Sequence, residues 1–360
     1  MSTTVMLSRE AVAALDRTGQ FADVLSLPEH LRDALWRVES ANLTPRDSSD
    51  GLVVAGMGGS AIGGALALAA LGDRASRPIA VSRDYGLPPW TTPETTVLCC
   101  SYSGDTEETL TAFEAAGALG ARRIVCTTGG RLAAEARADG VPVIPLPGGF
   151  QPRAAIGYLL VVSLEVAWLA GVGQRLHTEI DVAAAHAEQL VAAWGPDAPE
   201  DSPAKTLARS LTGTVCQIAG AGLTVPVAYR WKTQFNENAK LPAFATELPE
   251  LDHNEIVGWE RAAELARFSA VFLDDSDLHP RVRDRIELTM ELVEAQAAVT
   301  ERIQSIGESR VERIVSLVLL GDLVSLYLAI LGGRDPTDII AIDRLKEALA
   351  ERDENARSKP

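Results

Sequence analysis

LVVAGMGGSAIGGALALAAL, residues 52–71, decides the fold class. A short apolar run ends in the turn Gly56-Met57-Gly58-Gly59-Ser60, and an Ala/Leu-rich helical pattern follows. TVCQIAGAGLTVPVAYRWKTQF, residues 214–235, opens in the same way. Between the two lie further short apolar runs: PIAVS (78–82), TVLCCS (96–101), RIVCTT (123–128) and VPVIPL (141–146). Helical patterns at 107–120 and 131–138 intervene. Beyond residue 235, SAVFLDD (269–275) reads as a strand and RVRDRIELTMELVEAQ (281–296) as an amphipathic helix. A β-run at 299–306 and a long apolar helix follow, and after the break GGRDPTD (332–338) comes a last helix, IIAIDRLKEALAERD (339–353). Strands alternating with helices predict parallel sheets covered on both faces. The expected fold is α/β, with two units that each carry a parallel β-sheet flanked by helices in three layers.

A chain of 360 residues suits two such domains, and 47% hydrophobic with 23% charged residues is the composition of a folded globular protein. A first core and a second are expected. The division read from the sequence is an N-terminal helical arm at 1–48, domains at 49–195 and 206–335, and a C-terminal helix and tail at 336–360. The boundary falls in the Pro- and Asp-rich WGPDAPEDSPAK (194–205), and the charged tail after Asp353 is expected to fray. A net charge of −16 excludes general nucleic-acid and anionic-membrane binders, yet permits one anionic substrate held locally.

Cys99, Cys100, Cys126 and Cys216 sit in apolar runs without a CxxC pair, as buried thiols of a reducing compartment do. Together with the absence of a basic segment leading an apolar core at the N-terminus, this predicts a cytoplasmic protein. Residues 314–333 approach the length of a membrane span, but Asp322 and Ser325 interrupt them. A charge at that depth is costly, so a buried helix and no membrane are expected.

Two loops carry the candidate chemistry. Glycines at 56, 58 and 59 let backbone approach a ligand, and the helix that follows offers free N–H groups to an anion. A dinucleotide site would want GxGxxG with an acidic residue about 20 positions on, at the end of the next strand. Here the spacing is GxGGS; Asp73 precedes that strand and Asp84 comes late. The second loop, Ser101-Tyr102-Ser103-Gly104-Asp105-Thr106-Glu107-Glu108-Thr109, follows an apolar strand. Asp105 and Glu108 have capping-box spacing. Capping leaves the hydroxyls of Ser101, Ser103 and Thr106 unexplained at the strand end where open parallel sheets bind ligands. A phosphate site explains them.

GMGGS followed by SYSGDTEET resembles the sugar-isomerase (SIS) domain. The resemblance continues through FQPRAAIGY (150–158), RWKTQFNENAK (230–240), ELDHNEIVGW (250–259) and DPTDIIAIDRLK (335–346). Together these are similar to the bifunctional phosphoglucose/phosphomannose isomerases of bacteria and archaea, over nearly the whole chain. The resemblance implies two SIS domains and an aldose–ketose isomerase. It would interconvert glucose 6-phosphate, mannose 6-phosphate or both with fructose 6-phosphate, through a cis-enediol and without a metal or other cofactor. Implied as catalytic are Glu237, the base of the NEN motif; His253, assisting ring opening; and Lys346, a further ring-opening or substrate-binding group. Implied as substrate-binding are Gly58, Gly59, Ser60, Ser101, Ser103, Thr106 and Arg153. A homodimer with its site at the subunit interface is also implied, and with it action of His253 on the neighbouring subunit's substrate.

Each of these residues has a blander reading: a polar surface for Glu237, a structural histidine for His253, a solvated lysine for Lys346, a helix cap or ion pair for Arg153. His30, His177, His186 and His279 receive no role. The alternatives are a non-catalytic SIS module that senses a sugar phosphate, and the isomerase half of an amidotransferase. The first is disfavoured by the near-complete catalytic set. The second would need a nucleophilic cysteine near the start, which Met1-Ser2-Thr3 lacks.

Overall fold

The computed structural model describes residues 5–357; residues 1–4 of the arm and 358–360 of the charged tail lie outside it. Three helices open the chain, α1 (Arg9–Leu15), α2 (Gln20–Leu25) and α3 (Leu27–Ser40). The first sheet follows: β1 (Leu52–Ala55), α4 (Gly58–Leu71), β2 (Ile79–Ser82), β3 (Thr96–Cys100), α5 (Glu107–Leu119), β4 (Arg122–Thr127), α6 (Gly130–Ala138) and β5 (Val143–Pro145). Then come α7 (Ile156–Leu169), α8 (His177–Trp194) and α9 (Pro203–Leu211). The second sheet is built from β6 (Val215–Ala221), α10 (Val225–Glu237), β7 (Ala243–Leu248), α11 (Ala262–Leu265), β8 (Phe268–Asp274), α12 (Pro280–Glu294) and β9 (Val299–Gln304). Last come α13 (Arg310–Leu331) and α14 (Ile340–Arg357). The expected fold class holds: both sheets are wholly parallel, in the orders β2-β1-β3-β4-β5 and β7-β6-β8-β9.

The two-residue period of the strands sorts their side chains into separate cores. Val53, Ala55, Val97, Cys99 and Val125 face α5 and α6. The alternate residues Leu52, Val54, Leu98, Cys100, Ile124 and Cys126 face the other way. In the second sheet Ala219, Ala221, Ala270 and Phe272 pack with Trp259, Ile286 and Val293 on the outer side. Cys216, Ile218, Val271 and Leu273 turn inward, into the same cluster as the inner face of the first sheet. The main core is therefore shared, not divided as the sequence suggested. All four cysteines are buried free thiols.

At the centre of that shared core is α13, which packs against α8, α9, α10, α2 and α4. Every residue from Val311 through Ile330 is buried, Asp322 and Ser325 included. Two segments, Pro152–Leu169 and Arg310–Leu331, are long and apolar enough to cross a membrane, and both are buried within the protein. Ser309 and Glu312 form a reciprocal capping box at the start of α13. Gly321 leaves room for the Trp231 indole, which a β-carbon there would strike. The indole Nε1 donates to the Leu317 carbonyl at 2.8 Å. That contact fixes α10 against the hub helix and so sets where the end of α10 lies. At the C-terminus, α14 extends past Asp353 to Arg357.

Candidate functional site

In the first sheet the chain passes from β1 to β2 on one side, then returns across β1 to β3 on the other. Parallel sheets hold ligands at such a switch, in the crevice beyond the strands' carboxyl ends. Both sequence-predicted loops emerge there. The helices they lead into, α4 after Met57 and α5 after Thr106, have no side-chain cap. Among the described residues nothing accepts from the Gly58 or Gly59 amides, so these first-turn N–H groups remain for an anion. A β-carbon at Gly56 would meet the Cys100 carbonyl oxygen at 2.7 Å, and only glycine allows β1 and β3 to end this close. At Gly59 it would lie 3.3 Å from the Pro152 carbonyl oxygen and 3.6 Å from the Arg153 Cα. The glycine loop thus abuts the QPR turn.

The hydroxyls of the second loop organise it from within. Ser101 Oγ accepts from the Gly104 amide at 3.0 Å and shares a hydrogen bond with Thr106 Oγ1 at 2.9 Å. Ser103 Oγ accepts from the Asp105 amide at 3.2 Å. The Asp105–Glu108 spacing does not form a capping box. The left-handed turn at Gly104 (φ 78) packs on the Gly129 carbonyl and carries Asp105 across to α6. There Asp105 Oδ1 accepts from the Arg131 amide at 2.9 Å, and Thr106 takes the cap position of α5. Tyr102 ties this loop to the QPR segment: its hydroxyl donates to the Pro147 carbonyl and accepts from the Phe150 amide.

Arg153 gathers three of the sequence motifs. It is buried in a short 3-10 turn, Pro152–Ala155. Its Nε donates to Asn238 Oδ1 at 2.7 Å, and Nη2 to the carbonyls of Pro336 (2.8 Å) and Thr337 (3.2 Å). Nη1 lies 3.4 Å from Glu237 Oε2 and 3.5 Å from Gln151 Oε1. Burial pushes the guanidinium down from its ordinary value and Glu237 pulls it back, but an arginine stays charged at any physiological pH. Glu237 is the last residue of α10, with its side chain 31% exposed. It lines a cavity of about 610 Å³ together with Asn236, Lys240, Arg334, Asp335 and Asp338. The first turn of α14 supplies the apolar wall, Ile340 and Ile342 among it.

Lys240, quoted in the NENAK motif but given no role, lines the same cavity. Its backbone is left-handed (φ 58), and its ammonium donates to the carbonyls of Glu237, Asn238 and Asp335 at 2.9, 3.2 and 2.6 Å. A lysine just past a helix end is suited to those unpaired carbonyls, and that position was its signal. Burial lowers its pKa, with Arg153 adding to the effect and Asp338, Asp335 and Glu237 opposing it. The N-terminal arm contributes as well. Thr18 and Thr337 share a hydroxyl–hydroxyl hydrogen bond of 2.5 Å. Half-buried Asp23 on α2, desolvated and beside Asp16, has its carboxyl pushed up to about 6 although Arg153 pulls it down.

Two predicted residues are not brought to the cavity. His253 closes a short 3-10 turn (Glu250–His253) after β7 and is exposed. Its neighbour Asp252 is held by Arg285 at 2.7 Å and Thr289 at 2.8 Å. Lys346 is exposed on α14, beside an uncovered stripe of Ile342, Leu345 and Leu349. Among the described residues neither side chain makes a hydrogen bond or ion pair, and neither lines the cavity of Glu237.

His30, which was given no role, supports the QPR turn. It is buried, stacked on Phe150 at 5.1 Å and against Tyr158 at 4.9 Å. Burial holds its pKa below the ordinary imidazole value, while Glu29, Asp33 and the Ala154 carbonyl pull upward. Below about pH 6.5 the unfolded chain takes up a proton that the native state resists, so stability falls as pH drops; above it His30 contributes no slope. Urea midpoints at pH 7.5 and 5.5 should therefore fall further in the wild type than in His30→Gln. A difference of up to about 1 kcal/mol is expected, and equal falls would refute this account.

Comparison with known proteins gives a consistent set of likenesses. A family profile described as the bacterial phospho-glucose isomerase C-terminal SIS domain matches residues 200–349. The chain is 41% identical over 336 residues to a bifunctional phosphoglucose/phosphomannose isomerase of Caldicellulosiruptor bescii, covering 92% of this chain and 99% of that one. It is 35% identical over 315 residues to the protein of the same name from Aquifex aeolicus, covering 87% and 94%. A crystal structure of a glucose-6-phosphate isomerase like protein from Thermus thermophilus superposes with a TM-score of 0.61 at 21% identity, covering 96% and 99%, a likeness of fold.

Proposed function

The chain belongs to the bifunctional phosphoglucose/phosphomannose isomerase family, and from that premise we propose how its residues divide the reaction. The protein is a sugar-phosphate isomerase that interconverts glucose 6-phosphate and mannose 6-phosphate with fructose 6-phosphate. The two aldoses differ only at C2. Removing the C2 proton erases that difference, so one base and one cis-enediol serve both.

Glu237 is the base. The observation that carries this assignment is that buried Arg153, bound to the 336 and 337 carbonyls, also reaches Glu237, which itself lines the cavity. A carboxylate within reach of a fixed cation can take a proton from C2 and return it to C1, while the cation steadies the oxygens that gain charge. The phosphate sits at the switch point of the first sheet, on the open amides of Gly58 and Gly59 with Ser60, Ser101, Ser103 and Thr106 around it. The unit at 206–335 supplies Glu237, and the unit at 49–195 supplies the phosphate loops and Arg153.

His253 and Lys346 complete the site from a second copy or by movement of α14. Exposure of both, and the uncovered Ile342–Leu345–Leu349 stripe beside Lys346, favour a homodimer with the site at its interface. No metal takes part in these steps, and the setting is the cytoplasm.

The test is turnover of each aldose phosphate to fructose 6-phosphate, with and without chelator, across a dilution series. Chelator-resistant turnover of both sugars that declines on dilution below the dimer's dissociation constant is the expected result. Binding of either phosphate without turnover would overturn the assignment of Glu237 as base. Full activity in a strictly monomeric sample would overturn the shared site.

A further inference from the structure

We infer that Asn238 and Ser325 are positioning residues for the isomerisation, aiming Arg153 so that only its Nη1 edge is left for Glu237 and substrate. The inference rests on the proposed role of Glu237. A guanidinium has five N–H groups. The Nε proton goes to Asn238 Oδ1 at 2.7 Å, and the Nη2 pair to the carbonyls of Pro336 and Thr337. The Nη1 pair is left with long contacts, 3.4 Å to Glu237 Oε2 and 3.5 Å to Gln151 Oε1. Nη1 is therefore the edge with hydrogen bonds still to give. An oxygen of the open-chain sugar, gaining charge as the enediol forms, is the acceptor that fits it.

What fixes this orientation is the amide of Asn238, which is wholly buried. Its Nδ2 donates to Ser325 Oγ at 2.9 Å. The Ser325 hydroxyl spends its own proton on the Asp322 carbonyl at 2.6 Å, so toward Asn238 it can only accept. A flipped amide would set oxygen against oxygen at Ser325 and N–H against N–H at Arg153. The partners thus dictate the orientation. A second tie runs to the same turn of α13. Arg230 Nη2 donates to the Arg153 carbonyl at 3.0 Å, and Arg230 itself is bound by both Asp322 oxygens. Asp322 and Ser325 are three residues apart and share a helix face. Two of the polar residues that break the apolar run of α13 are thus the points at which the site is anchored to the core.

A merely structural network would lower stability and leave the chemistry of the folded molecules unchanged. The test compares steady-state kinetics, pH profiles and melting curves of Asn238→Ala, Asn238→Asp and Ser325→Ala. In Asn238→Ala, kcat should fall about 10–100-fold, and by more than KM rises. Asn238→Asp keeps an oxygen for Arg153 Nε but sets a second carboxylate competing with Glu237 for the guanidinium. The acid limb of its kcat/KM profile should move up by about one pH unit. Ser325→Ala should lose about 3–10-fold in kcat. If Asn238→Ala does not fold, the near-isosteric Asn238→Asp and the small Ser325→Ala decide the matter. Folded variants with wild-type kcat and an unmoved acid limb, beside an inactive Glu237→Gln, overturn the positioning role alone. Activity surviving in Glu237→Gln overturns the reading beneath it.

Discussion

Glu237→Gln should lower kcat for both aldose phosphates by about 10²–10⁴-fold, with little change in KM or melting temperature. Glutamine matches the size of glutamate and can still accept from Arg153 Nη1, so the cavity rim keeps its form. It cannot carry a proton between C2 and C1, and the loss falls on the chemical step alone. The phosphate loops lie on β1 and β3, apart from the end of α10, which is why affinity should hold. Steady-state kinetics on both sugars read the result, beside solvent hydrogen exchange at C2, which the variant should abolish. Activity within tenfold of the wild type would remove Glu237 from the role of base. Equal losses on glucose and mannose 6-phosphate are expected, since one carboxylate serves both.

The second large effect is on stability. Asp322→Ala should cost about 3–5 kcal/mol, because it strands the Arg230 guanidinium without its counter-charge in a wholly buried position. The pair is bidentate, Nε to Oδ1 at 3.0 Å and Nη2 to Oδ2 at 2.5 Å. Burial pushes the Asp322 carboxyl up and Arg230 pulls it down. Against a total stability of about 5–15 kcal/mol for an ordinary domain, such a loss is a large share. Removing both charges is a different experiment. Arg230→Met with Asp322→Leu fills the same space with apolar atoms and should recover most of the loss. The double variant would still lack the donor to the Arg153 carbonyl, so activity should stay low after stability returns. Denaturant titrations with parallel kinetics separate the two. A single variant within about 1 kcal/mol of the wild type would show that water reaches Arg230.

Much of this architecture is legible in the chain because parallel strands buried on both faces leave continuous apolar runs, here punctuated by glycine turns. TVLCC and LVVA are read directly for that reason, and the loops after them follow from the topology. Glu237 and Arg153 are legible through the motifs around them. Their mutual contact is not, because 84 residues separate them. The capping box at Asp105 fails because local spacing knows nothing of the Gly129 carbonyl that turns Gly104. Asp322 and Ser325 register in the sequence only as interruptions of an apolar helix. Their partners Arg230 and Asn238 lie on α10 and at its C-terminal cap, and a one-dimensional pattern cannot pair them. The shared core escaped the reading for a similar reason: the polar stretch at 194–205 marks a linker, but α8 before it and α9 after it both pack on α13.

The place of α13 in the chain also sets a schedule. Helices α3, α4, α7 and α8 belong to a core whose central member begins at residue 310 of 360. At a synthesis rate of about 5–20 residues per second, that member follows the end of α8 by roughly 6–23 s. For this interval α3, α4, α7 and α8 can pack on one another, but the sides of α4 and α8 that meet α13 lack that partner. The growing chain therefore exposes part of its central core until α13 is made, a demand met by whatever shields apolar surface at the ribosome.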